Sequence, residues 1–591
     1  MRCHDLNPFL NTPRHGRRFQ NSQTLCGMPA VACSLLVLIA VLMSAVLPAR
    51  AMAAERQVLA VAVCDSYGDL KKQIGWVGAQ IDNPGLAGMA ESVLLLATQG
   101  KGLAGLDVKR PMGIVISSDG TDIAGHGFVP VKDLGKLLDS LQSVIGPSER
   151  VDGGRRITLP SGIAMTMTEK DGWAILTPDG IDASIAVDPT PFFAPLIEDF
   201  SLGIKVFPSL LPAALREQLA AFLQQGADAR GTPLDSVALK IAIEGLAETE
   251  SLTLGLGIDI AKKRVLLENR TVAVAGSKSA LALLGAAGGS LTVAPPDTAD
   301  GKPAAVRLFV AQSLPPDTQK QALELLQQSL PDDSDNAATK ILFGVARDLL
   351  FAMLGSGGID AAGTLDTSAT TEKQPLPTIT AGARVKDGAA FEKQVKKLLG
   401  DKQSVPDYVR VQFDSGKVGA ATLHTVRLYL SGVPGAENLG ESLDLTLAIA
   451  PEYVFLLAGG DPQKRLSTVL ESNGQKNPAG KPLATLQLSM DDLLVYAAAQ
   501  GGGPQATLAA ERMRAGGPVP DAEAATDTEA ALLQLLVRPI ERGLAMRLSA
   551  GAGVVRAAAT LAGPVQAKPV PVLGGGVPLP RGFPLPLPAR R

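Results

Sequence analysis

The sequence predicts an α+β protein of two tandem similar modules, each an antiparallel sheet with helices packed on one face. Residues 56–290 and 303–563 run through the same succession of strand, helix and turn signals. Val131-Lys132-Asp133 and Val385-Lys386-Asp387 each open a helical stretch, and each run closes on a hairpin pattern. The resulting division is a signal peptide at 1–53, a first module at 54–293, a linker at 294–302, a second module at 303–563 and a proline-rich disordered tail at 564–591.

The N-terminus sets the compartment. Arg14, His15, Arg17 and Arg18 precede an apolar run, Ala30–Leu47, and then Pro48 and the small-residue sequence Ala49-Arg50-Ala51-Met52-Ala53. That is the order of a secretory signal, with cleavage expected after Ala53. The run of 18 residues is long for a signal core, so an uncleaved anchor over residues 30–47 is the alternative. In both cases the basic flank stays inside and the body lies outside the cytoplasm, in the periplasm or secreted. No cysteine follows the run at a lipoprotein-type position.

Within the body, Leu59–Cys64 and Val306–Ala311 read as short buried strands. Each leads to an apolar helix, Leu86–Ala97 or Ile341–Leu354, apolar nearly all round and therefore expected inside a core. Asp133 and Asp387 stand as N-caps, and apolar residues follow each at four and eight positions, Leu137 and Leu141 or Phe391 and Val395. Next come hairpins at Ile163–Leu176, around Glu169-Lys170-Asp171-Gly172, and at Leu443–Leu457, around Pro451-Glu452. An aromatic residue, Trp173 or Tyr453, follows each turn. Leu202, Ile204 and Val206 alternate, as do Leu486, Leu488 and Met490, and the closing pairs are Ser251–Val274 and Gly543–Leu561. Ala294–Lys302, Gly355–Pro377 and Gly501–Thr528 read as soft segments with too little apolar surface to order themselves. The Leu-Pro tail reads as extended and polyproline-like.

Removing residues 1–53 takes away five basic residues and one acidic residue, leaving 50 Lys+Arg against 57 Asp+Glu and a net charge near −7. That mild, dispersed acidity argues against nucleic acid and against anionic membrane surfaces, with the membrane engaged only through residues 30–47 if they are retained. Of four cysteines only Cys64 survives export, so no intrachain disulfide forms, and its place at the end of an apolar strand suggests a buried thiol. Aromatic residues at 4% are too scarce to favour a sugar-stacking cleft.

No cofactor, metal or catalytic constellation emerges. His126 and His424 lack a second ligand at sequence spacing and read as structural. Gly255-x-Gly257 follows a strand pattern, but Ile260 holds the third glycine position of a dinucleotide turn. Between Gly474 and Gly480-Lys481 lie five residues where a phosphate loop has four, and Pro482 replaces its Ser/Thr. Asp333-Ser334-Asp335 begins like a calcium loop but lacks the third ligand and the glycine. Gly440-Glu441-Ser442-Leu443-Asp444 fails the nucleophile elbow at its last position. Glu91, Asp119, Asp122 and Asp348 read as solvated or capping carboxylates.

The order of strand, helix, hairpin, Val-Lys-Asp helix, hairpin, Asp188-Pro189 or Asn477-Pro478 segment and closing strands resembles a family of exported bacterial proteins known only as a domain of unknown function. It is also similar to large uncharacterised secreted proteins of planctomycete-like bacteria. The resemblance covers most of residues 56–563 and carries no catalytic residues with it. The functional expectation is a non-enzymatic envelope protein that binds a protein or surface component. A carrier of an apolar ligand or lipid is the alternative, and an exported hydrolase with dispersed acidic residues is a third reading.

Overall fold

The structure, a computed structural model, describes residues 56–562 apart from 121–122, 160–161, 180, 182, 213–214, 219–220, 222–223, 225–243, 282–292, 294–303, 330–336, 369, 371–375, 401–404, 431–440, 473–481, 501–502 and 515–530. The proposed signal segment, the linker and the proline-rich tail lie outside the described residues, as do Asp122, Asp333-Ser334-Asp335 and Gly474–Lys481.

The chain begins with β1 (Gln57–Cys64), α1 (Tyr67–Gln80), α2 (Leu86–Ala97), β2 (Met112–Ser118), β3 (Ile123–Pro130) and α3 (Leu134–Ile145). It continues through β4 (Glu149–Val151), β5 (Gly154–Thr158), β6 (Ala164–Lys170), β7 (Trp173–Pro178), α4 (Thr190–Asp199), β8 (Leu202–Val206), β9 (Thr249–Asp259) and β10 (Arg264–Ala273). Then follow β11 (Val306–Ser313), α5 (Pro316–Ser329), α6 (Ala337–Leu354), β12 (Gly358–Asp366), β13 (Thr378–Arg384), α7 (Gly388–Gly400), β14 (Val409–Val418) and β15 (Ala421–Tyr429). The last run is β16 (Ser442–Ile449), β17 (Tyr453–Ala458), α8 (Pro462–Ser472), β18 (Ala484–Ser489), α9 (Met490–Ala499), α10 (Gly503–Arg514), β19 (Leu532–Ile540), β20 (Gly543–Gly551) and α11 (Ala552–Ala562).

All twenty strands belong to one antiparallel sheet. Neighbours follow the order β4-β5-β6-β7-β3-β2-β1-β8-β9-β10, then β20-β19-β18-β11-β12-β13-β17-β16-β15-β14. Separate sheets were expected for the two modules. Instead β10 and β20 pair over nine residues, so hydrogen bonding runs unbroken across the middle.

Helices were expected on one face, and they occupy both. On β1 four consecutive residues, Val58 to Val61, are buried, which requires cover on each side. Val61, Val63 and Val115 pack with Phe193 and Leu196 of α4 on one face. On the opposite face, Met167 and Ala174 pack with Leu134, Leu137 and Leu138 of α3. That second face also carries α6 and α7, through Met353, Phe391 and Val395 against Ala383, Ile449 and Val454.

The two Val-Lys-Asp segments are anchored alike. The Val131 N–H donates to the Gly172 carbonyl at 2.9 Å and the Val385 N–H to the Glu452 carbonyl at 2.9 Å. Asp133 accepts from the Lys136 N–H and Asp387 from the Ala390 N–H, each at 2.9 Å, so both carboxylates cap a helix three residues on. Leu137 and Phe391, four residues beyond the aspartates, are buried beneath their helices.

Several sequence expectations need correction. Helix α2 has no buried residue despite its apolar composition, and Val93 and Leu96 are 67% and 82% exposed. Of the other apolar helix, the described side chains of α6 are buried only at Met353 and Leu354. Helix α2 is a surface element with an unburied apolar face, since apolarity alone does not supply a partner, whereas α6 lays Val345, Leu349, Ala352 and Met353 against the core as expected. Gly355–Pro377 was read as a loop, yet it contains β12, whose small residues Gly358, Ala362 and Thr364 alternate inward. Gly501–Thr528 contains α10, where Ala506, Ala509 and Ala510 permit a close helix contact with α11 that composition does not reveal. The final hairpin pairs β20 with β19, and the chain after Gly551 turns into α11 instead of a strand.

The β10–β20 seam is held by one carboxylate. Glu268 lies opposite Arg547 at the centre of the nine pairs and has no exposed side-chain surface. Arg547 pairs with it, Arg270 donates from Nε at 2.5 Å, and Arg538 approaches to 3.6 Å. Burial pushes the Glu268 carboxyl up, but hydrogen bonds from Arg270 and Arg547 outweigh it and hold the group below its ordinary range. Arg270 also pairs with Asp199 at 2.7 Å and lies over the Phe200 ring, which ties the end of α4 to the seam. Glu268→Ala removes the acceptor and leaves the partly exposed Arg547 and Arg538 without a carboxylate, while Arg270 keeps Asp199, at a cost of about 2–3 kcal/mol in urea unfolding. Combining Glu268→Arg with Arg547→Glu is expected not to recover that loss, because Arg270 and Arg538 would then face a like charge. Full recovery would show that only the Glu268–Arg547 pair matters.

Candidate functional site

Among the described residues one group of three side chains has the geometry to hold a metal: Glu392, Asp414 and His424, whose ligand atoms lie within 4.8 Å of one another. Glu392 comes from α7, His424 from β15 and Asp414 from a bulge in β14, where three residues from Phe413 to Ser415 face the single His424. Asp414 adopts φ +53°, which turns its N–H onto His424 Nδ1 at 3.1 Å. Ser415 Oγ fixes the bulge through the Leu423 carbonyl at 3.2 Å and the Thr425 hydroxyl at 2.9 Å.

Two features turn this cluster away from metal binding. Lys396, one helical turn after Glu392, places its ammonium 2.8 Å from Glu392 and 2.9 Å from Asp414, where a cation would sit. These bonds raise the lysine pKa and lower that of Asp414, so both keep their charges. The imidazole is also turned the wrong way. With Nδ1 accepting a backbone N–H, the neutral ring carries its proton on Nε2, and that proton faces Glu392 at 3.3 Å without forming a well-aligned hydrogen bond. A ligand nitrogen needs a lone pair there. Burial lowers the His424 pKa, partly offset by the Glu392 charge, so the ring stays neutral. The sequence reading placed no carboxylate beside His424, because Asp414 reaches it only through the bulge and Glu392 only through helix packing. The i,i+4 spacing of Glu392 and Lys396 was the available signal for the ion pair.

Other sequence candidates are dispersed. His126 is buried on β3, away from this cluster, and His424 is buried completely. Full burial makes each a packing residue, in keeping with a structural role. Gly255 and Gly257 lie inside β9, where a Cβ would come within 2.2 Å of the Phe200 ring or 2.9 Å of Leu266; close packing, not a nucleotide, explains the pair. Ser442 and Asp444 lie on β16, and Asp444 forms a two-point pair with Arg427 at 2.6 Å. Glu91 pairs with Lys71, Asp119 with Arg56 and Asp348 with Arg347. Cys64 is half-buried, and burial pushes its thiol pKa up, so it is not a poised thiolate.

The more extensive feature lies on the sheet face that carries α3, α6 and α7. Register pairs Leu202, Leu256, Leu267, Leu548, Leu535, Leu486 and Leu308 in one transverse row over β8, β9, β10, β20, β19, β18 and β11. Cys64 continues the row on β1. Beside it runs Ile204, Leu254, Asn269, Met546, Val537, Ala484 and Val310. The rows are not sealed: Leu202 is 40% exposed, Leu308 44% and Met546 48%, and every residue of β19 is only partly buried. At about 4.8 Å per strand, seven strands give an apolar strip roughly 29 Å long.

No family model, curated protein or solved structure matches the chain. Among the described residues no helix is long and apolar enough to cross a membrane.

The His424 arrangement generates two tests. Because burial lowers its pKa in the folded state, the unfolded chain binds the extra proton. This contribution to stability is complete above about pH 6.5 and is lost as pH falls below it towards the folded pKa, with a slope of at most about 1.4 kcal/mol per pH unit. His424→Asn, which keeps an acceptor near the Asp414 N–H, is expected to flatten unfolding free energy against pH below about 6.5; an unchanged slope would remove His424 from the account. Zinc titration by calorimetry is expected to show no stoichiometric binding to the wild-type cluster and at most a weak gain on Lys396→Ala, which frees the two carboxylates but leaves the Nε2 proton in place. Tight zinc binding by the unaltered protein would show that the ammonium does not fill the site.

Proposed function

We propose that this chain is an exported, non-enzymatic envelope protein built from two fused copies of one ten-stranded unit, and that it carries an apolar ligand with acyl-chain character on the open face of its central strands. The leucine row carries this reading. A monomeric soluble protein seldom leaves so long an apolar strip partly exposed unless something covers it. The strip approaches the roughly 30 Å hydrocarbon thickness of a bilayer, so an extended acyl chain fits along it with room to spare. Its lining of leucine, valine and methionine, interrupted by one polar side chain, Asn269, offers mainly dispersion contacts, which suits a ligand chosen by shape and apolarity. The half-buried Cys64 thiol, at the end of the row, is consistent with an apolar setting.

Several observations support fusion of two copies. Read outward from the seam, β10-β9-β8-β1-β2-β3-β7-β6-β5-β4 and β20-β19-β18-β11-β12-β13-β17-β16-β15-β14 are one list with ten added to each number. The Val-Lys-Asp helices follow β3 and β13. Glu268 and Arg547, which face each other at the seam, are equivalent positions of the two copies, as the fifth of nine paired residues on each strand. The two-copy reading sets the units at residues 54–293 and 303–563, behind an export signal.

A second reading has its own observation. Met89, Val93 and Leu96 form an exposed stripe on α2, at 59%, 67% and 82% exposure, suited to contact with a protein or surface component of the envelope. A ligand carrier and a partner-binding helix are compatible.

Native mass spectrometry of the full protein from its own host tests the proposal: a fraction of the molecules should carry a lipid-like mass that organic extraction removes. Leu256→Asp with Met546→Asp, both at partly exposed positions, should abolish that adduct with a change in unfolding free energy of about 1 kcal/mol or less. Adduct-free protein that also fails to take up a fluorescent fatty acid would overturn the carrier reading and leave the α2 contact as the better account.

A further inference from the structure

We infer that the cavity between the β6–β7 turn and the start of α4 is a second binding site, shaped for a small zwitterion with an apolar body: a free apolar amino acid or a short peptide. It lies on the sheet face opposite the leucine row and stands independently of the carrier proposal. Its volume is about 270 Å³. That falls just below the range of about 300–1,000 Å³ typical of drug-sized sites, so its ligand is small.

The floor is rigid and aromatic. Phe128, Trp173 and Phe193 meet edge to face in a triangle with centroids 6.0–6.1 Å apart, and Phe128, Trp173 and Ile175 line the cavity. Arg110 lies over Trp173, its guanidinium carbon 4.1 Å from the ring centroid, and is held there by an N–H bond to the Gly172 carbonyl at 3.0 Å. The guanidinium is thus positioned before any ligand arrives. Lys170 supplies a second cation at the rim, and Asp171 and Asp188 supply two carboxylates. Asp188 is fixed by accepting the Thr190 N–H through one oxygen at 3.0 Å.

Charge at this rim is balanced in number but not paired. Among the described residues, none of Arg110, Lys170, Asp171 and Asp188 forms an ion pair within 4.0 Å. The matching place on β13 and β17 is different. There Tyr453 stacks on Phe455 at 6.1 Å, and Arg384 faces Glu452 at 3.8 Å. An apolar floor with separated cations and carboxylates matches a molecule that has one ammonium, one carboxylate and an apolar side chain. A purely anionic ligand would leave Asp171 and Asp188 opposed to it, and a hydrocarbon would leave all four charges unused.

The chain has two tryptophans, so Trp76→Phe makes Trp173 the only indole in the full protein. Its fluorescence would be titrated with leucine, dileucine, N-acetylleucine and leucinamide. Leucine or dileucine should give a saturable change, and blocking either terminus should weaken binding about tenfold or more. Asp188→Asn, at an exposed position, should selectively weaken the amine-bearing ligands with an unchanged melting temperature, whereas Arg110→Met should weaken those bearing a carboxylate. The proposal fails if leucine and dileucine produce no saturable signal up to millimolar concentrations. Equal binding of N-acetylleucine and leucine would overturn the zwitterion assignment. Neither result depends on whether the leucine row holds lipid.

Discussion

Everything central to this molecule depends on the pairing of β10 with β20. Each strand would otherwise end its half of the sheet with open N–H and C=O groups, a surface that attracts foreign strands. Their union closes both at once and brings Glu268 under three arginines. A carboxylate withdrawn from water is costly by itself; with charge-assisted bonds on both oxygens it becomes an anchor that tolerates little displacement. The attachments spread outward from there. Asp199 and Phe200 bring in α4 through Arg270, the Glu250–Arg542 pair crosses the same seam, and Gln80 and Asp82 bind Arg556 and Arg512, joining the end of α1 to α11 and α10.

Local chemistry was legible in the sequence wherever a few neighbouring residues decide the outcome. Asp133 and Asp387 announce their caps because the backbone groups they satisfy are three residues away. Leu202, Ile204 and Val206 announce a strand through strict alternation. What stayed hidden depends on distance. Glu268 and Arg547 are 279 positions apart, and nothing local marks either as a partner of the other. The His424 cluster needs a bulge, a helix and a second strand to coincide. Small residues misled in a different way, because β12 and α10 look too poor in apolar surface to order. Alanine and glycine nevertheless fill close contacts where leucine would not fit, as the buried Ala509 and Ala557 illustrate. Strong apolarity misled in the opposite sense at α2, where composition says nothing about whether a neighbour is present.

The two faces of the central strands divide the physical work. One buries charge and glycine: Glu268 under its arginines, and Gly255 beneath Phe200. The other spreads leucine over seven strands without sealing it. A row that is only partly covered retains unrealised hydrophobic free energy, about 25 cal/mol for every Å² still open to water, and whatever covers it recovers that energy. Such a surface favours extended, flexible apolar groups over compact polar ones, since no fixed donor or acceptor interrupts the row.

The bulge at Asp414 has a consequence for the outer boundary of the sheet. However many strands a linear sheet contains, it has two rims, and among the described residues they are β4 and β14. The first is only three residues long. The second is broken in the middle, where the backbone at Asp414 turns into the left-handed region, and it presents Arg410, Asp414 and Lys417 to water. A stranger's strand approaching either rim finds too short a template or an interrupted, charged one. The bend that orients a histidine on the inside thus also makes this rim a poor template for a further strand.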